Sequence, residues 1–302
     1  MGLLNRRDFL SRTAAAVGAS FVVGTTTGSE AAEPPATRPV GRSILRANDQ
    51  ILLGKTGIKA SRLSIGTGTK GGSEQRGAGA PAMIKMLRNA LDEGIRWWDA
   101  ADSYKSHPYV GQALKEVKRD QVTITTKTTG KTAERVLADI ERFRTELGTD
   151  YLDIVLLHCM VDADWPRKLR GAMDALSEAK EKGWVRAVGC SCHTFEALKA
   201  AADEPWGEVN LARINPFATL MDVDKPADVP KVEEVLKTMH ERGKAVYGMK
   251  ILGEGRIKGD QIDESLAFVL KKPYISGFTI GFSDPRQIDD IARRIERIRA
   301  TA

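Results

Sequence analysis

The sequence predicts an α/β chain folded as a TIM (β/α)8 barrel with an N-terminal β-hairpin, and three observations carry that prediction. Short β-rich apolar runs alternate eight times with longer stretches of helical period, the pattern of parallel βα units. The alternation runs over about 240 residues, the size of one such barrel. Helix-ending glycines, Gly94, Gly148, Gly183 and Gly243, recur shortly before the strands that follow them.

Taken in order, Ile51-Leu52-Leu53-Gly54-Lys55-Thr56-Gly57-Ile58 reads as a hairpin placed to plug the barrel floor. Strands are expected over Leu63 to Gly66, Arg96 to Ala100, Val122 to Lys127, Leu152 to His158, Val185 to Ser191, Val209 to Asn215, Ala245 to Lys250 and Phe278 to Gly281. Helices are expected over Pro81 to Glu93, Tyr109 to Lys118, Thr132 to Leu147, Arg167 to Lys182, Thr194 to Ala202, Pro230 to Arg242, Glu264 to Lys271 and Pro285 to Arg299. An open doubly wound sheet would want a Gly-x-Gly-x-x-Gly turn leading straight into a helix. Gly66-Thr67-Gly68-Thr69-Lys70-Gly71 has that spacing, but Gly72, Gly77, Gly79 and Pro81 follow, so no helix is expected there.

Residues 1–31 read as a twin-arginine signal peptide. Asn5-Arg6-Arg7-Asp8-Phe9-Leu10 precedes a weakly apolar stretch from Ala14 to Val23, and Ser29-Glu30-Ala31 is a small-x-small cleavage pattern. The apolar stretch is shorter than the ~20 residues a membrane span needs. Residues 32–48, with Pro34, Pro35 and Pro39, read as a linker, and 49–302 as the barrel. The expectation is export to the periplasm or another extracytoplasmic space through the twin-arginine machinery, with no stable membrane insertion after cleavage.

A chain that is 42% hydrophobic and 28% charged is too mixed for disorder, collagen or a disulfide-dense scaffold. Its net charge of +6 is spread without a block of like charges, so nucleic acid is not expected as a partner. Cys159, Cys190 and Cys192 lack the spacing and number of a zinc site; buried thiols and no metal are expected.

In such a barrel chemistry belongs at the C-terminal ends of the strands. There the sequence places Asp99, Lys127 and His158, with Tyr104 five residues beyond Asp99. Burying these groups is costly unless they pair with one another, and their convergence points to a site. An ordinary tyrosine titrates near pH ~10 and is a reluctant acid at neutrality. A lysine ammonium beside it favours the phenolate and brings its pKa down, Asp99 would orient that ammonium, and His158 could orient a carbonyl. The bland alternatives are a structural Asp99–Lys127 ion pair, a satisfied core histidine at 158 and a loop aromatic at 104. Trp98, alternating with Asp99, should face the helix layer. Trp165 either walls a pocket or stands exposed at a helix start, and His107, His193 and His240 receive no role.

The chain resembles the aldo-keto reductases from about Leu52 to Ile291. The resemblance rests jointly on Leu53-Gly54-Lys55-Thr56-Gly57, Gly94 to Tyr104, Thr125-Thr126-Lys127, Leu152 to His158 and Val188-Gly189-Cys190-Ser191. It implies carbonyl reduction with Tyr104 as general acid, Lys127 and Asp99 tuning it, His158 positioning a small carbonyl substrate, and a nicotinamide dinucleotide supplying hydride. NADP is expected, with NAD the alternative. Ser191 matches the serine that holds the carboxamide, while Cys192 stands where asparagine is usual. Asn215 is the nearest amide to a missing glutamine, and Met249 takes the place of a tyrosine under the nicotinamide ring. The loop from Gly281 through Ser283 to Arg286 and Gln287 resembles the one that receives the adenosine phosphate. Gly66, Thr67, Lys250 and Asp290 complete the cofactor contacts that the resemblance implies.

Nicotinamide dinucleotides are scarce outside the cytoplasm, so an exported reductase implies a cofactor that travels bound and leaves room for a redox partner. Two rival readings stay open: a cofactor-holding redox-sensing or regulatory barrel with little turnover, and a lyase using Lys127 as a Schiff-base amine.

Overall fold

A computed structural model of the chain describes residues 45–298. The signal peptide and most of the linker read from the sequence lie outside the described residues, as does the end of the last expected helix. A hairpin, β1 (Gln50–Leu52) and β2 (Lys59–Ser61), precedes eight barrel strands. These are β3 (Leu63–Gly66), β4 (Trp97–Asp99), β5 (Thr123–Thr128), β6 (Leu152–Met160), β7 (Val185–Cys192), β8 (Val209–Arg213), β9 (Ala245–Met249) and β10 (Gly277–Gly281). All pair in parallel, and β10 returns to β3 in the register Gly281 with Gly66, closing the barrel.

The helices are α1 (Ser73–Ala78), α2 (Ala80–Asp92), α3 (His107–Leu114), α4 (Ala133–Leu147), α5 (Trp165–Lys168), α6 (Arg170–Glu181), α7 (Phe195–Asp203), α8 (Val229–Glu241), α9 (Gln261–Leu270) and α10 (Pro285–Arg297). Two depart from the sequence reading. A short helix, α1, does begin in the glycine-rich loop, because Gly71 and Gly72 take left-handed φ values of 68° and 83° that turn the chain into it. The single helix expected from Arg167 is two, broken at Leu169.

Period-2 alternation sorts the strand side chains into two cores. Trp97, Ile154, Leu156, Val209, Leu211, Tyr247 and Met249 face the barrel interior. Trp98, Val155, Leu157, Val188, Cys190, Cys192 and Ala212 face the helices, so Trp98 packs outward as expected. Leu53, Ile58 and Ala60 of the hairpin join the interior cluster, and Lys55 N–H donates to Gly243 O at 3.1 Å. The hairpin thereby seals the N-terminal end and leaves the other end open. Of the three thiols, Cys190 and Cys192 are buried with sulfurs 3.8 Å apart, whereas Cys159 is exposed. Among the described residues no helix is long and apolar enough to cross a membrane.

Candidate active site

Asp99 closes β4 and Lys127 stands near the end of β5, both on the interior face. Lys127 Nζ donates to Asp99 Oδ1 at 2.7 Å and to Ala100 O at 2.8 Å. Tyr247 Oη donates to the same Asp99 oxygen at 3.2 Å from across the barrel. Tyr104 ends a 3₁₀ turn, Asp102–Tyr104, whose last carbonyl accepts from Arg76 Nη1 at 2.6 Å. The phenol ring lies over Gly68, where an added Cβ would fall 2.3 Å from the ring. The Lys127 ammonium is 4.8 Å from the ring centre. The His158 ring meets Tyr104 edge-on at 5.5 Å, and its Nδ1 is 3.2 Å from Ser103 Oγ. The fold therefore brings all four candidate groups together.

Their electrostatics follow from burial and pairing. Burial lowers the proton affinity of Lys127, but Asp99 and Tyr104 together more than offset it and hold the ammonium charged. Tyr104 is lifted above the ordinary phenol value: burial dominates, Lys127 opposes it, and the Asp99 carboxylate adds to the rise. This corrects the expectation that Lys127 brings the phenol down, because desolvation of the phenolate outweighs the attraction of the ammonium. Tyr104 thus carries its proton throughout the neutral range. His158 is pushed down to about 3, first by burial and then by Lys127 and His193, and is neutral there.

A trough runs from this cluster along the open end. Gly66, Gly68, Thr69, Met249, Lys250, Thr279 and Gly281 line it beside Asp99 and Tyr104. It continues past Glu254 and Gly281 into a cavity of about 620 Å³ bordered by Asp284, Arg286, Gln287 and Asp290. The lining fits an elongated polar ligand. A Cβ on Gly66 would stand 2.9 Å from Thr279 Oγ1, one on Gly281 would stand 1.9 Å from Thr69 Oγ1, and Thr279 Oγ1 is buried without a partner.

Several residues expected to hold the cofactor also hydrogen-bond within the protein. Thr67 Oγ1 donates to Asp99 O and meets Ser106 Oγ at 2.8 Å. The Asn215 amide donates to Thr219 O and Lys250 O and accepts from Phe217 and Thr219 N–H, which fills its hydrogen-bonding capacity. Ser191 Oγ accepts from Cys159 N–H at 2.9 Å. Gln287 accepts from the backbone N–H groups of Ser283 and Asp284 in a capping box, so it closes the N-terminus of α10 on itself. Arg286 pairs with Asp284 but remains exposed, and Lys250 pairs with Glu254. Gly66, Met249, Lys250, Gly281, Arg286, Gln287 and Asp290 do border the trough.

The sequence reading missed four neighbours. His193 stands 6.3 Å from His158, ring centre to ring centre, and accepts from Arg213 Nη2 at 2.5 Å. Asp222 faces Arg213 at 3.4 Å, and Tyr247 supports Asp99. Tyr247 was legible, since it shares a face with Met249 two residues on. Trp165 is buried, its Nε1 donating to Ala197 O at 3.2 Å, and it borders a cavity with His158, Cys159 and Lys168.

A closed parallel barrel with a phenol, an ammonium, a carboxylate and an imidazole gathered at its open end defines a barrel with its chemistry at the strand C-termini. The chain belongs to the Aldo/keto reductase family, whose profile matches residues 62–268. It is 33% identical over 160 residues to aldo-keto reductase YhdN of Bacillus subtilis (strain 168), covering 47% of this chain and 46% of that one. It is 31% identical over 128 residues to methylglyoxal reductase DkgB of Salmonella typhi, covering 39% and 46%. The chain thus spans about half the length of the curated relatives it matches. An NADPH complex of an aldo-keto reductase from Klebsiella pneumoniae superposes with a TM-score of 0.67 at 19% identity, over 85% of this chain and 92% of that one. The holo form of an aldo-keto reductase from Bacillus halodurans gives 0.68 at 19% identity, over 83% and 92%. At this identity the two structures speak for the fold.

Proposed function

We propose that the protein is an NAD(P)H-dependent oxidoreductase that reduces an aldehyde or ketone to an alcohol. The observation that carries this reading is the Lys127 ammonium, fixed by Asp99 and set under the Tyr104 ring. A nicotinamide dinucleotide, when bound, supplies the hydride. The trough residues Gly66, Met249, Lys250 and Gly281 would hold one end of it, and Arg286, Gln287 and Asp290 the other. Tyr104 Oη hands its proton to the carbonyl oxygen as negative charge builds there, and Lys127 stabilises the phenolate left behind. With Ser103 as the donor to His158 Nδ1, the imidazole proton sits on Nε2 and is free to hold the same oxygen. A lyase reading fits less well, since the Lys127 amine is charged and engaged by Asp99 and Ala100 O. The Klebsiella relative holds NADPH, and Arg286 and Lys258 are cations at the far end of the trough, so NADP is the form proposed.

The test is Tyr104→Phe, assayed with NADPH and NADH against a panel of aldehydes. Dinucleotide binding, read by fluorescence quenching, is retained, while reduction falls by roughly 10²–10⁴. A Tyr104→Phe protein that reduces carbonyls as fast as wild type overturns the reading. Quenching without oxidation on any substrate in wild type would favour a sensor.

We also propose that residues 1–31 direct export by the twin-arginine route. Replacing Arg6 and Arg7 together with lysine should leave the full-length protein in the cytoplasm, and unchanged export of that variant would refute the signal.

A further inference from the structure

Three consecutive barrel strands end in polar side chains on the interior face. Leu156 and His158 share a face on β6, Ser191 and His193 continue one on β7, and Leu211 and Arg213 share one on β8, because interior and helix-facing residues alternate. The result is a row at the barrel mouth. It starts at Tyr104 and passes through His158 at 5.5 Å and His193 at 6.3 Å to Arg213, whose Nη2 donates to His193 Nδ1 at 2.5 Å.

Arg213 is incompletely satisfied at the end of this row. Its side chain is 19% exposed, its Nε is buried without a partner, and its ion pair with Asp222 is loose at 3.4 Å. Neither carboxylate oxygen of Asp222 makes a hydrogen bond, although that side chain is wholly buried. A guanidinium carries five N–H donors in a planar fork that matches a carboxylate. Buried donors are rarely left unmade, and a charged acceptor satisfies them best. The other cations at this mouth have close partners: Lys127 is held by Asp99 and Lys250 by Glu254. His193, accepting from Arg213 at Nδ1, keeps its own proton on Nε2, a second donor beside the guanidinium.

We propose that Arg213 and His193 form a subsite for the carboxylate of an aldehyde acid, whose carbonyl end lies several carbons away at Tyr104 and His158. This rests on the carbonyl-reduction reading above for the aldehyde end, and on Arg213 and His193 for the acid end. Asp222 serves as the resting counterion, and an incoming carboxylate takes up the guanidinium donors that Asp222 leaves unmade.

The test compares pairs of equal chain length, 4-oxobutanoate with butanal and 6-oxohexanoate with hexanal, in wild type, Arg213→Met and Arg213→Lys. Wild type should favour the acid of at least one pair tenfold or more in kcat/KM. The ratio should fall to near one in Arg213→Met and to an intermediate value in Arg213→Lys, which keeps the charge but not the fork. Glutarate binding, followed by calorimetry on the same three proteins without any dinucleotide, should be weakened tenfold or more by Arg213→Met and should decline with added salt. An acid-to-neutral ratio near one in wild type, or a ratio and a glutarate affinity that Arg213→Met leaves unchanged, overturns the subsite while leaving carbonyl reduction standing. A wild type that reduces no aldehyde at all defeats the reductase reading, and the glutarate titration then decides the anion site by itself.

Discussion

Lys127 Nζ and Asp99 Oδ1 stand 2.7 Å apart with side chains 0% and 5% exposed, so neither charge has water to turn to. The ammonium completes its coordination on Ala100 O, and Tyr247 donates to the carboxylate. Breaking a buried pair leaves an uncompensated charge, at a cost of about 3–5 kcal/mol. Lys127→Met and Asp99→Asn are each expected to lose that much in urea unfolding, and the double variant to lose clearly less than their sum. Strict additivity would show that the two groups do not depend on each other.

Gly68 tests the placement of the phenol. A methyl group there falls 2.3–2.4 Å from two ring atoms of Tyr104, and displacing a reacting group by about 1 Å costs on the order of 100-fold in rate. Gly68→Ala should therefore lower reduction by about two orders of magnitude. Gly77→Ala, in α1 with nothing within 4 Å of the added methyl, should leave the rate alone and gain up to ~1 kcal/mol in helix propensity. Equal rates in both variants would separate the ring position from catalysis.

The two histidines at the mouth set an acid-side limit on stability. His158 and His193 are both held down to about 3, by burial first and then by Lys127 for His158 and by Arg213 for His193. In the unfolded chain both titrate near 6.5. Their neutral forms are favoured by the fold, so this contribution is fully present above pH 6.5 and is lost as pH falls toward 3. Each tenfold difference in proton affinity between the folded and unfolded chain is worth ~1.4 kcal/mol. The two histidines together therefore lose several kcal/mol by about pH 4. Denaturant midpoints measured from pH 8 to pH 4 should fall, and His158→Gln with His193→Gln should flatten the profile. An unchanged slope in the double variant would assign the acid sensitivity elsewhere.

Asp222 has the opposite sign. Burial raises its carboxyl to about 6 against the pull of Arg213, from 3.8 when unfolded. The fold binds this proton more tightly than the unfolded chain does, so the group destabilises above pH 6 and the penalty is relieved as pH falls toward 3.8. Asp222→Asn should raise stability at pH 8 by up to about 3 kcal/mol and steepen the acid-side loss left by the histidines. A decrease in stability at pH 8 would mean that the Arg213 contact outweighs desolvation.

The alternation of strands and helices, the closing glycines and the facing of Trp98 were legible because each is a local property of backbone period and turn geometry. The same local reasoning set Asp99, Lys127 and His158 at strand ends, since eight βα units leave one end for chemistry. It did not reach residues whose role depends on a partner from a distant strand. Asn215 reads in the sequence as an available amide, but its loop uses every hydrogen bond it can make, and Gln287 spends its carbonyl oxygen on a capping box while its side chain still borders the trough. The start of α1 was hidden because glycines usually end helices, and here two in left-handed turns open one.

What the amino-acid order determined by itself was the barrel and the identity of the groups at its mouth, because periodicity and spacing act over a few residues. Only the tertiary structure decided how tightly Tyr104 holds its proton and that Arg213 meets His193 and Asp222. Desolvation and charge pairing are set by everything that closes around a group, and here that came from strands far apart in the chain.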